Sequence, residues 1–102
     1  MQITGSCRDG LLTLRLSGEL DHHAARDAAE AIAERIDAFL PARCVLELSG
    51  LSFMDSSGIA LLMRTGKLME ELDGSLTVAG LREQPMRVLR ASGMLRRLTV
   101  TE

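Results

Sequence analysis

The residues best equipped for chemistry fall in two short runs, Asp55-Ser56-Ser57-Gly58 and Asp21-His22-His23. The first places an acid, two hydroxyls and a glycine at the start of an amphipathic stretch. A helix N-terminus leaves N–H groups unpaired and carries the positive end of the helix dipole, so it favours an anion. A phosphoryl group would be welcome there; the plainer alternative is that Asp55 or Ser56 only caps the helix. A hydrolase-type serine does not fit. Its elbow needs glycine two residues before the nucleophile, where Met54 and Asp55 stand, and both histidines precede both serines.

Asp21-His22-His23 raises a metal-dependent phosphoesterase as a remote alternative. A metal site needs at least about three converging ligands, and neighbouring helical residues point about 100° apart. No further histidine is available. A solvated helix start is the simpler reading, so neither a metal nor a cofactor is expected. The single lysine, Lys67, lies inside a helical stretch, so no lysine-bearing phosphate loop exists either.

The elements that must position these runs follow from periodicity. Residues 2–8 and 11–17 flank Asp9-Gly10, a dipeptide suited to a two-residue type I′ hairpin turn. Leu12, Leu14 and Leu16 alternate with Thr13, Arg15 and Ser17, and Gly18 is expected to break the strand. Asp21 caps a predicted helix over 22–40, whose apolar stripe runs Ala25, Ala28, Ala29, Ile32, Ile36, Phe39 and Leu40 before Pro41 closes it. A short strand over 43–48 comes next, parallel to its predecessor because a helical crossover joins them. A loop then leads to a helix over 57–72, in which Gly66 costs stability and suggests close packing.

Leu76 to Ala79 form another strand, Gln84-Pro85 start a third helix ending at Ser92-Gly93, and Leu98 to Thr101 give an edge strand. The order β-β-α-β-α-β-α-β implies a single α/β domain over residues 1–102, a mixed sheet of four to five strands with helices mainly on one face. Such folds put their sites in loops at the C-terminal ends of parallel strands, here 18–23 and 49–58.

Composition narrows the functions open to this domain. With 102 residues, 46% hydrophobic, it can bury one core without disulfides. Two phenylalanines and no Trp or Tyr argue against a base-stacking nucleic-acid platform. Cys7 and Cys44 are too few and too far apart for a disulfide scaffold or a zinc motif and read as reduced thiols. The longest apolar run, 59–63, cannot span a bilayer and no signal peptide is evident, so a cytoplasmic protein without membrane contact is expected. The net charge of −2 is uneven: residues 1–60 carry −4 and 61–102 carry +2. The basic stretch around Arg82, Arg87, Arg90, Arg96 and Arg97 suits a solvated face or an acidic protein partner better than nucleic acid.

Gly18-Glu19-Leu20-Asp21-His22-His23, Phe53-Met54-Asp55-Ser56-Ser57-Gly58 and Ser92-Gly93 together resemble the anti-sigma factor antagonists of spore-forming bacteria, which are STAS domains. The order and spacing agree over nearly the whole chain. The second motif marks the phosphorylatable antagonists in general, and the first points more narrowly to sporulation.

The resemblance implies a binding protein rather than an enzyme. In such proteins the unphosphorylated form docks on an anti-sigma factor that is also a serine kinase and frees the sigma factor. Phosphorylation of the serine after the Asp, here Ser56, inactivates it, and a PP2C-type phosphatase restores it. Asp21, His22, His23, Asp55, Ser57, Gly58 and Ile59 are then the expected partner-binding residues. Leu62 is a further apolar candidate with an equally good claim to the core. A stress-type sigma pathway, or a STAS scaffold that is never phosphorylated, is the alternative. The sequence departs from the resemblance at Arg90, where an acid is common.

Overall fold

The computed structural model describes residues 1–102. Its elements are β1 (Gln2–Arg8), β2 (Leu11–Leu20), α1 (His22–Phe39), β3 (Arg43–Met54), α2 (Ser56–Glu71), β4 (Ser75–Ala79), α3 (Glu83–Ser92), a 3₁₀ turn (Leu95–Arg97) and β5 (Thr99–Thr101). The five strands form one sheet in the order β1-β2-β3-β4-β5. β1 and β2 pair antiparallel, and every later pair is parallel. This is the expected mixed α/β sheet.

Local chemistry explains the start. Asp9 and Gly10 both take positive φ, 50° and 79°, as a type I′ turn requires. Each later strand is laid beside the one before it through a helix. Because such crossovers are right-handed, α1, α2 and α3 fall on the same side of the sheet. That side carries Leu12, Leu14 and Leu16 of β2, Cys44, Leu46 and Leu48 of β3 and Val78 of β4, all buried. Against them pack Ala25, Ala28, Ile32 and Ile36 of α1, Leu61, Leu62 and Met69 of α2, and Leu89 of α3.

Four expectations need correction. Gly18 does not end β2: it takes φ 106° within a pair of register shifts against β3, and the strand runs on to Leu20. Likewise β3 does not stop at residue 48 but continues to Met54. The irregularity resets the alternation, so the buried positions run 44, 46, 48 and then 51 and 54. A period-two reading loses the strand at that point. At the far end of α1, Phe39 and Leu40 sit on the predicted apolar stripe yet are 55% and 64% exposed. Leu40 leaves the helix in a left-handed conformation, its N–H donating to Ile36 O.

Gly66 was expected to mark close packing. A Cβ there would meet only Leu76 Cδ2 at 3.7 Å, an ordinary contact. The tight glycine of α2 is Gly58, where a Cβ would strike Met54 Cγ and approach its Sδ to 2.7 Å.

Candidate functional site

The site is built by the ends of β2 and β3. These strands are parallel and in register at their last residues, Leu20 opposite Met54. A single residue separates each strand from its helix, Asp21 before α1 and Asp55 before α2. The loops expected over 18–23 and 49–58 are therefore mostly strand and helix, which leaves little backbone freedom around the candidate residues.

Both aspartates are N-caps with extended backbone. Asp21 Oδ1 accepts from Ala24 N at 2.9 Å, and Asp55 Oδ1 accepts from Ser57 N at 2.9 Å. Each carboxylate satisfies an N–H the helix cannot, and its negative charge lies at the favourable dipole end. The two helix starts touch through His22 and Ser57, with Nδ1 and Oγ 3.3 Å apart. His22 and His23 are both exposed, their rings 5.9 Å apart and edge-on.

Ser56 and Ser57 are placed differently. Ser56 is the first residue of α2 and is exposed; Ser57 is half-buried, its hydroxyl at His22. Gly58 and Ile59 are buried, with Ile59 7% exposed within the core, and Leu62 is fully enclosed. The structure therefore brings Asp21, His22, His23, Asp55, Ser56 and Ser57 together at one edge. It sets Gly58 and Ile59 beneath them, where they support the surface instead of forming it. The large apolar side chain exposed here is Phe53, at 37%. It alternates with buried Met54 and pairs with Glu19.

Gln84, near the start of α3, is a contributor that sequence reasoning missed. Its Oε1 accepts from Met54 N at 2.8 Å and its Nε2 donates to Met54 O at 3.0 Å. β4 pairs with β3 only up to Glu47, so the last turn of β3 has no strand neighbour on that side. The carboxamide substitutes for one, having a donor and an acceptor on the same group. Nothing local in Gln84-Pro85 signals this, since the partners are 30 residues apart.

No three His, Cys, Asp or Glu side chains are grouped so as to hold a metal ion. No helix is long and apolar enough to cross a membrane.

The sequence is matched over residues 2–102 by a family profile described as STAS domain. The chain belongs to the STAS domain family. Among curated relatives, this STAS domain is similar to an anti-sigma F factor antagonist of Paenibacillus polymyxa. Identity is 34% over 96 residues, covering 94% of this chain and 82% of the relative.

Among solved structures it resembles the anti-sigma factor antagonist SpoIIAA in its unphosphorylated form. That match has a TM-score of 0.83 and 24% identity, and covers 99% of this chain and 89% of the other. It also resembles the Bacillus cell fate determinant SpoIIAA in the phosphorylated form, with a TM-score of 0.74 and 24% identity over 99% of this chain and 92% of that one. At that identity the two structures speak for the fold of this STAS domain.

Proposed function

We propose that this STAS domain is an anti-sigma factor antagonist whose binding is switched by phosphorylation of Ser56. The observation that carries the reading is the contrast between the adjacent hydroxyls. Ser56 stands exposed at the first position of α2, directly after a capping aspartate, whereas Ser57 is half-buried against His22. A kinase can approach the first without moving the helix start.

The unphosphorylated form docks on an anti-sigma factor that has serine kinase activity and releases a sporulation sigma factor. His22, His23, Ser56, Ser57 and Phe53 form the contact surface, and Asp21, Asp55, Gly58 and Ile59 hold it in place. The kinase supplies ATP, metal and base, and this chain supplies the acceptor hydroxyl. A PP2C-type phosphatase reverses the modification, and the exchange takes place in the cytoplasm without nucleic acid or membrane.

The electrostatics suit a switch in binding. Phosphorylation adds about −1.5 to −2 charge beside Asp55. The N-terminus of α2 offsets part of the repulsion, by about 0.3–1 kcal/mol, so the fold survives. A partner surface fitted to a neutral hydroxyl then faces a desolvated dianion, which costs far more.

The test is intact-mass analysis after incubation with the cognate anti-sigma kinase and ATP. One phosphoryl group is expected on the wild type and on Ser57→Ala, and none on Ser56→Ala. No phosphate on the wild type, or an equally phosphorylated Ser56→Ala protein, overturns the reading in favour of a scaffold or of Ser57.

A further inference from the structure

We infer that the cleft between α1 and α2 is a binding site for a phosphate dianion, gripped by Arg26 and Arg64 beside His22 and the Ser57 hydroxyl. The cleft measures about 290 Å³, and no carboxylate lines it. Three of its side chains, His22, Arg26 and Arg64, are basic and a fourth is a hydroxyl. Arg26 and Arg64 reach it from opposite helices. The one ion pair in the molecule joins Glu83 to Arg87 on α3, so neither arginine is neutralised by a carboxylate. Glu30 is one helical turn on from Arg26 and is the nearest acid along α1 able to compete for it, yet it does not line the cleft.

Shape and charge agree. The walls between the cations are Ala25, Ala29, Ala60 and Leu61, three of them short side chains that leave room for a tetrahedral anion. Two arginines lining one space suit phosphate oxygens, which guanidinium groups bind through charge-assisted hydrogen bonds. The neighbouring, larger groove along α1 and β1 contrasts with it: Glu19, Asp21 and Asp27 all line that one, which disfavours an anion. The site is separate from the exposed Ser56 hydroxyl and does not depend on Ser56 being the acceptor. An occupant would cover the His22–Ser57 contact, so the ligand would compete with any partner docking across the two helix starts.

The dianion can be free phosphate or the phosphate ester of a serine, and a titration separates them. The full chain, labelled with ¹⁵N, is titrated with inorganic phosphate, with O-phosphoserine and with sodium chloride at matched ionic strength. Saturable amide shifts are expected at Ala25, Ala29, Ser57, Ala60 and Arg64 with phosphate and not with chloride. Tighter binding of O-phosphoserine identifies the ester as the source, and tighter or equal binding of inorganic phosphate identifies the free ion. Arg26→Gln and Arg64→Gln should each weaken binding roughly tenfold, and both side chains are exposed, so the fold is kept. Shifts that chloride reproduces, that never saturate, or that persist in the double variant overturn the proposal.

Discussion

The carboxamide of Gln84 brackets the backbone of Met54, accepting from its N–H at 2.8 Å and donating to its C=O at 3.0 Å. Met54 is fully buried and immediately precedes the capping Asp55. The clamp thus fixes the strand end from which α2 and Ser56 project. Gln84→Ala leaves both backbone groups without these partners, at an expected cost of about 1–3 kcal/mol. Gln84→Glu keeps the acceptor and loses the donor, and should fall between the two. Urea unfolding of the three proteins checks the order. Equal stability of all three would show that water replaces the clamp at no cost.

Gly58 and Gly66 share α2 and should respond oppositely to alanine. At Gly58 the new Cβ strikes Met54 and comes within 3.1 Å of Leu20 Cδ2, and both of those side chains are fully buried. Overpacking of this kind costs about 1–3 kcal/mol. At Gly66 the Cβ meets only Leu76 at 3.7 Å, and alanine is the better helix former by about 0.5–1 kcal/mol. Thermal unfolding of Gly58→Ala and Gly66→Ala should move in opposite directions from wild type. A stabilised Gly58→Ala protein would contradict the close approach.

These contrasts mark what could be read from the sequence. The hairpin at Asp9-Gly10 and the caps at Asp21 and Asp55 are legible because turn and cap chemistry acts within a few residues. The run from Asp55 to Gly58 stood out because acid, hydroxyls and glycine coincide at a helix start. The extension of β3 to Met54 was hidden because a register shift resets which side chains face inward. Gln84 was hidden because its partner is distant in sequence. The burial of Ile59 beside exposed Ser56 required knowing which side of α2 meets the sheet.

Glu47, on the strand beside Arg15, provides a pH signature away from the site. Ser49 Oγ donates to Glu47 Oε1 at 2.6 Å and Ser49 N donates to the same oxygen at 2.8 Å. Those bonds, with a smaller contribution from Arg15, hold the carboxyl below its ordinary value of 4.5. A depressed carboxylate stabilises the fold above its unfolded pKa and loses that contribution as pH falls through the folded value. The stability difference between wild type and Glu47→Gln should therefore be constant near neutrality and shrink as pH drops below about 4.5. Urea midpoints across the acid range measure it. A difference that grows on acidification would reverse the sign and exclude the mechanism.

Cys44 lies 1% exposed on the inner side of β3, and burial pushes its thiol up to about 11 from an ordinary 9.0. The thiolate is the reactive form, so a thiol reagent at mildly alkaline pH should modify half-buried Cys7 first and Cys44 only after unfolding. The raised value also has a stability consequence. Between 9.0 and 11 the unfolded chain loses this proton while the folded chain keeps it, so stability falls as pH rises through that window. Peptide mass mapping of the labelled native protein checks the first point. Equal labelling rates at the two cysteines would show that β3 opens readily.

Ser56 and Ser57 should separate when each is replaced by glutamate. A carboxylate at position 56 is exposed at the favourable dipole end of α2, so Ser56→Glu should change stability by no more than about 0.5 kcal/mol. Position 57 is half-buried, with its hydroxyl at His22 and its N–H already held by the Asp55 carboxylate. Ser57→Glu puts a longer side chain into a half-buried position and removes the hydroxyl at His22, and although the basic side chains of the cleft offset its charge it should destabilise by about 1 kcal/mol. Binding to the cognate anti-sigma factor should then be weakened by Ser56→Glu in a fold as stable as wild type, which is the behaviour of a surface switch. Calorimetric titration combined with thermal unfolding distinguishes the cases. If Ser56→Glu binds as tightly as wild type, charge at the first position of α2 does not control docking, and the switch has to be sought at Ser57.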